Sequence, residues 1–125
     1  MSARRAHVLV AEDNELVGSA MRILIEETGH RVTIARSIAE TVSAAAADPV
    51  DVLLLDLGLP DGDGLAVLDE LGALGALPRV TVALTGRDEP EVRDRCLAAG
   101  CRDVLVKPVP SRELMRLVTE WASEE

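Results

Sequence analysis

The sequence predicts an α/β fold: a doubly wound, five-stranded parallel sheet built as a (βα)5 three-layer sandwich. Three observations carry that expectation. Five short apolar runs alternate with helix-length segments along the 125 residues. The third run, "VDVLLLD" (Val50–Asp56), is almost continuously apolar, as a strand covered on both faces should be. Polar and charged side chains recur where the runs end, at the carboxyl rim where open α/β sheets bind ligands.

The first strand, "HVLVA" (His7–Ala11), precedes a helix over Glu15–Thr28. There Val17, Ala20, Met21 and Leu24 keep the spacing of a core face, and Gly29 ends the helix. "RVTIA" (Arg31–Ala35) is the second strand, followed by the Ala-rich helix Ser37–Ala47, which Asp48-Pro49 closes. The third strand runs into Asp56 and breaks at Gly58. The "PDGDG" stretch after it lacks the spacing and distal Glu of a calcium loop, so it is expected to turn into a short helix, Leu65–Leu71. "VTVALT" (Val80–Thr85) leads to Pro90–Ala99, with Asp88 as the expected cap, Pro90 in the first turn and Gly100 past the end. "DVLVK" (Asp103–Lys107) leads to Ser111–Ala122, where Leu114, Leu117, Val118 and Trp121 form the core face. With no repeat, low-complexity tract or linker, one domain is expected over residues 1–125, its core at about 7–120.

Composition removes several function classes. Acids outnumber bases by 22 to 13, a net charge of −9, which argues against direct contact with nucleic acid or an anionic membrane surface. No apolar run reaches transmembrane length and "MSARRAH" is not followed by a signal-like stretch, so a cytoplasmic location is expected. Cys96 and Cys101 stand outside any CxxC pattern and read as free thiols. Trp121 is the one aromatic residue, so the core must be aliphatic and no platform exists to stack a base or a flavin.

The strand ends supply the chemistry. The first ends in Glu12-Asp13-Asn14, the third in Asp56, the fourth in Thr85-Gly86 and the fifth in Lys107-Pro108. Singly, each is ordinary: a helix cap, a turn acid, a turn hydroxyl, a solvated lysine. Together they put three carboxylates and one ammonium on one rim. Two like charges ~4 Å apart repel by ~4 kcal/mol even at an effective dielectric near 20. Such a cluster keeps a proton or recruits a divalent cation, and an all-oxygen ligand set suits Mg²⁺ or Mn²⁺.

The set "VLVAEDN", "VLLLDLGLPDGDG", "VALTG" and "VLVKP" resembles the receiver domain of two-component response regulators over roughly residues 7–120. The resemblance implies a flavodoxin-like sheet of order 2-1-3-4-5 and a phosphorelay module that takes a phosphoryl group from a phosphohistidine. It implies that Asp56 is the phosphoacceptor, that Glu12 and Asp13 hold the metal with Asp56 and the Gly58 carbonyl, and that Thr85 binds a phosphoryl oxygen. Lys107 would pair with the acyl phosphate, aimed by a cis peptide before Pro108. Gly86 and Arg87 would lie on the loop that moves on phosphorylation. The implied donor is a histidine kinase or a histidine phosphotransfer protein, and the output is a change in the face of the fourth helix, fifth strand and fifth helix. Such a module modifies itself and is not a turnover enzyme. Because the sequence stops at Glu125, output is expected in a downstream protein or on parent segments outside this sequence.

Departures from the family pattern carry expectations of their own. Val104 stands where receivers commonly carry a rotating Tyr or Phe, so a muted or different surface change is expected. Val109 replaces a frequent Phe, Gly58 offers no side chain against attacking water, and Arg87 is placed to reach over the site. Leu16 and Ile23, seven residues apart and off the core face of the first helix, are expected to dock a histidine-bearing helical partner near the rim. Two other classes compete: a phosphorylation-independent scaffold with a vestigial site, and an Asp-nucleophile phosphohydrolase of the haloacid-dehalogenase type. The hydrolase wants a second Asp two residues after the first, where this chain has Gly58.

Overall fold

A computed structural model describes residues 5–124. Its main sheet is built from β1 (His7–Ala11), β2 (Arg31–Ala35), β3 (Val52–Asp56), β6 (Val80–Thr85) and β7 (Asp103–Val106), all parallel, in the order β2-β1-β3-β6-β7. A small antiparallel hairpin, β4 (Gly58–Leu59) with β5 (Gly62–Asp63), follows β3. Numbered without that hairpin, the order is the expected 2-1-3-4-5. The helices are α1 (Glu15–Glu26), α2 (Ile38–Ala47), α3 (Ala66–Leu74), α4 (Pro90–Ala98) and α5 (Ser111–Ala122).

Alternation along the strands sorts the core into two layers. Leu9, Leu53, Leu55 and Ala83 face α2 and α3, meeting Ile38, Ala45, Val67 and Leu71. Val8, Val10, Leu54, Val82 and Leu84 face α1 and α5, meeting Met21, Ile25, Leu114, Val118 and Trp121. Cys96 and Cys101 are free and buried in the first layer. Helix α4 contributes little: Cys96 is its one buried residue, with Val92 half-buried.

The end of the sheet opposite the strand-end acids is closed by polar bonds. The buried His7 ring bonds the Pro49 carbonyl at 2.9 Å and Thr33 Oγ1 at 2.8 Å, and its amide donates to Asp51 at 2.8 Å. The Ala6 amide donates to His30 Nδ1 at 2.9 Å. Arg79 joins Asp51, at 3.2 Å, to the carbonyl of Ala122, the last residue of α5, at 3.4 Å.

Several expectations are corrected in detail. The buried face of α1 is Gly18, Met21 and Ile25, whereas Val17 is 40% exposed, Ala20 is exposed and Leu24 half-buried. Gly18 lets the helix approach β2, where an added Cβ would meet Ile34 Cγ2 at 3.4 Å. Hydrophobic periodicity gives a glycine no weight, so it rotated the predicted face. Helix α1 stops at Glu26, before Thr28. Strand β3 begins at Val52, because Asp51 turns its side chain to the His7 amide. Strand β7 ends at Val106, before Lys107. Helix α2 begins at Ile38, with Ser37 as its cap, accepting from the Glu40 amide at 3.1 Å. Helix α3 runs through Gly72 to Leu74 and ends at Gly75, φ +68°. The N-cap position of α4 is Glu89, not Asp88, without a side-chain capping bond, and the helix stops at Ala98. The turn expected of "PDGDG" forms the hairpin.

Candidate functional site

Strand parallelism brings the carboxyl ends of β1, β3, β6 and β7 to one rim, and this places the acids. Glu12 follows β1 and is 1% exposed; Asp56 ends β3 and is 7% exposed. Asp13 is exposed beside them. One oxygen from each of Glu12, Asp13 and Asp56 lies within 4.8 Å of the others.

Lys107, just past β7, reaches into this cluster. Its Nζ donates to Asp56 Oδ2 at 2.8 Å and to Glu12 Oε1 at 3.1 Å. The second oxygen of Asp56 accepts from the Gly58 amide at 2.9 Å, and Glu12 Oε2 accepts from the Asn14 amide at 3.1 Å. Asn14 in turn caps α1, its Oδ1 accepting from the Val17 amide at 3.0 Å. The capping role that these residues invite therefore belongs to Asn14, which leaves both acids directed at the rim.

Electrostatics separates the two buried carboxyls. Burial pushes Glu12 above the ordinary carboxylate range, and the Asp56 charge adds to it against the pull of Asn14 and Lys107. For Asp56 burial also acts upward, but the bonds from Lys107 and Gly58 outweigh it and hold the carboxyl below its usual value. Burial works against the Lys107 ammonium, yet its two carboxylate partners raise its pKa. One cation shared by three anions leaves a charge deficit that a divalent ion would remove.

The donor set fits such an ion. All ligands are hard oxygens, and opposite corners of a Mg²⁺ octahedron lie ~4.2 Å apart. The three carboxylate oxygens lie within 4.8 Å of one another, and Asp13 is exposed and can adjust to that spacing. The Gly58 carbonyl, at the start of β4 two residues past Asp56, is the further oxygen that the resemblance implies.

A second set borders Asp56. A cleft of about 360 Å³ is lined by Asp56, Gly58, Asp63, Thr85, Arg87 and Arg95, among others that include Gly86. Thr85 is buried and its Oγ1 accepts from the Arg87 amide at 3.1 Å, while its carbonyl accepts from the Lys107 amide at 2.7 Å. The Arg87 side chain pairs with Glu89 at 3.0 Å. The Lys107–Pro108 peptide is cis. Val104 is buried in β7, 6% exposed, and its carbonyl accepts from Arg93 at 3.4 Å. Leu16 and Ile23 lie outside the rim on α1, 82% and 59% exposed.

Sequence reasoning missed two features. Gly64 lies against the backbone of Asp56, where an added Cβ would come within 2.5 Å of the Asp56 carbonyl oxygen. The glycines of "PDGDG" carry that signal, but five residues could not say which one is obligatory. The other is the ion pair between Asp63 and Arg95, 32 residues apart, which only the fold brings together.

The comparisons agree with this architecture. The family model described as "Response regulator receiver domain" matches residues 8–119. The KDP operon transcriptional regulatory protein KdpE of Escherichia coli (strain K12) is 35% identical over 108 residues, 86% of this chain and 47% of that protein. This chain therefore spans about half the length of that relative. Among solved structures, the receiver domain of the sensor histidine kinase PA1611 from Pseudomonas aeruginosa PAO1, which has a magnesium ion coordinated in its active-site cleft, is 29% identical. It matches with a TM-score of 0.84 over 97% of this chain and all (100%) of that one. The signal receiver domain of a putative Luxo repressor protein from Vibrio parahaemolyticus shares the fold with a TM-score of 0.87 at 20% identity, over 95% of this chain and 91% of its own. With the parallel sheet, the acidic rim and the matched family model all in place, the chain belongs to the response regulator receiver domain family of two-component signalling.

Proposed function

We propose that Asp56 accepts a phosphoryl group from the phosphohistidine of a histidine kinase or a histidine phosphotransfer protein, with Mg²⁺ (or Mn²⁺) held by Glu12, Asp13, Asp56 and the Gly58 carbonyl. The observation that carries this reading is Lys107 Nζ, 2.8 Å from Asp56 and 3.1 Å from Glu12, inside an all-oxygen cluster. When bound, the metal neutralises charge on the phosphoryl oxygens.

The chain's own residues do the rest. Asp56, kept ionised by Lys107, supplies the attacking oxygen; an Asp56 O–P bond forms as the donor's P–N bond breaks, and the leaving imidazole takes up a proton. Lys107 stays beside the acyl phosphate, and Thr85 turns its hydroxyl from the Arg87 amide to a phosphoryl oxygen. Phosphorylated Asp56 carries close to −2 in place of −1. That added charge draws Thr85 and Lys107 inward and shifts the loop through Gly86 and Arg87, biasing the face of α4, β7 and α5 toward a downstream protein. Valine at 104 has no ring to swing, so the change there is muted. The domain regulates by its own modification in the cytoplasm and does not turn over a free substrate.

The docking surface proposed for the donor is α1. Leu16 and Ile23 are exposed on this helix, and their chain neighbours Val17 and Leu24 line, with Met21, Pro108 and Val109, an apolar groove of about 470 Å³ that reaches Glu12 and Lys107. An amphipathic helix seated there would bring its histidine to the rim. Incubation with Mg²⁺ and acetyl phosphate should add one phosphoryl mass to Asp56 and none to the Asp56→Asn protein. Steady phosphate release from many esters would instead indicate a hydrolase, and no response a scaffold. Replacing Leu16 and Ile23 with Lys should slow transfer from the partner but not from acetyl phosphate; equal slowing removes α1 as the docking face.

A further inference from the structure

Helix α4 is held to the body more by arginines than by apolar packing. Of its nine residues Cys96 alone is buried. Arg93 ties it to β7, reaching Asp103 at 3.1 Å and the Val104 carbonyl at 3.4 Å. Arg95 ties it to the hairpin through Asp63, seven residues past Asp56. Both members of that second tie line the cleft that Asp56 and Thr85 border, and both are about half exposed, 52% and 48%.

A half-exposed ion pair is weak and is easily traded for a stronger one. A guanidinium matches a phosphoryl group bidentately and favours the greater charge. Asp63 offers one negative charge; a phosphorylated Asp56 across the same cleft offers close to two. Arg87, the other guanidinium on the cleft, is paired with Glu89 only two residues away, so its movement stays within one loop. Arg95 sits in the last turn of α4, so its movement takes that end of the helix along.

We propose that Arg95 exchanges partners: Asp63 holds its guanidinium in the resting domain, and the phosphoryl group on Asp56 takes it over, drawing α4 toward the cleft. The exchange rests on Asp56 being the phosphoacceptor. It gives α4 an electrostatic coupling to the site that needs no aromatic ring at position 104.

The test is a beryllofluoride titration at saturating MgCl₂, followed by amide NMR, on the unaltered domain, Asp63→Asn, Arg95→Gln and the double variant. Asn at 63 keeps the oxygen that accepts from the Leu65 amide at 3.0 Å, so the entry to α3 is retained. Freeing Arg95 with Asp63→Asn should tighten beryllofluoride binding by roughly threefold, and Arg95→Gln should weaken it by a similar factor, the scale of one half-exposed ion pair. The double variant should match Arg95→Gln, and Arg95→Lys should recover part of the loss. A merely structural tie predicts shifts of the same sign in both single variants, and that result overturns the exchange. So does a gain from Asp63→Asn that persists without Arg95, since it would reflect only the lost negative charge. If the unaltered domain fails to bind beryllofluoride, the phosphoacceptor assignment itself falls, and the exchange with it.

Discussion

Gly64→Ala is the substitution whose effect the structure specifies most closely. The added methyl would lie 2.5 Å from the Asp56 carbonyl oxygen and 3.0 Å from Leu57 Cα. An ordinary C···O contact is ~3.3 Å or more, so one segment must yield by ~0.8 Å. Neither side gives easily. Asp56 pairs with Leu84 in the sheet, the Leu57 amide donates to the Leu84 carbonyl at 3.1 Å, and the Gly64 amide donates to the Leu57 carbonyl at 3.1 Å. Overpacking of this kind costs ~2 kcal/mol. For 125 residues the unfolding entropy near the melting temperature is ~0.26 kcal/mol/K, so the melting temperature should fall by ~8 °C. Because the clash falls on Asp56 itself, beryllofluoride binding should weaken too. Calorimetry of Gly64→Ala beside Gly72→Ala isolates the cause. Gly72 is exposed within α3, and a methyl there would find only Leu77 Cδ1, at 3.9 Å. That variant should gain ~0.5–1 kcal/mol from helix propensity. A Gly64→Ala domain that melts within ~2 °C of the unaltered one, with unchanged affinity for the mimic, would refute the close-approach argument.

Lys107→Ala should destabilise the metal-free domain by roughly 1–3 kcal/mol, less than a fully buried broken pair because Lys107 is one-third (33%) exposed. MgCl₂ should then raise its melting temperature more than that of the unaltered domain; an equal rise would contradict the shared-cation account. Burial, with Arg5 adding and Asp51 opposing, lowers the His30 pKa below its ordinary 6.5. The folded state therefore binds fewer protons than the unfolded one, and this contribution is full above 6.5 and lost as pH falls below it. Urea midpoints at about pH 7.5 and about pH 5.5 should differ less for His30→Gln than for the unaltered domain, and equal differences would clear His30 of the effect. Burial pushes the Cys101 thiol up to about 12 and raises Cys96 as well. A thiol reagent should label neither until urea unfolds the domain, and prompt labelling under native conditions would show that α4 opens far more readily than its contacts imply.

Much of this architecture could be read from residue order because local and tertiary signals agree. The runs at His7–Ala11, Arg31–Ala35 and Val80–Thr85 are strands to the residue, and Ser111–Ala122 is a helix to the residue. The convergence of Glu12, Asp13, Asp56 and Lys107 follows from parallel topology alone, since a parallel sheet collects strand ends at one rim. What escaped depends on contacts across the fold. The sheet-facing side of α1 was displaced because Gly18 packs by having no side chain. Asp88 had the chemistry of a cap, yet the chain places Glu89 at the cap position. Asp63 and Arg95 are ordinary surface residues until the hairpin and α4 meet across the cleft.

The bonds of His7, His30, Asp51 and Arg79 give the far end of the sheet a mechanical role. They clamp it as a cantilever is clamped at its root, with strand entries and the exit of α5 fixed together. If the opposite rim gains charge as proposed, that charge would meet a stiff mounting, and its work would go into deflecting the loops, not into tilting the whole β layer.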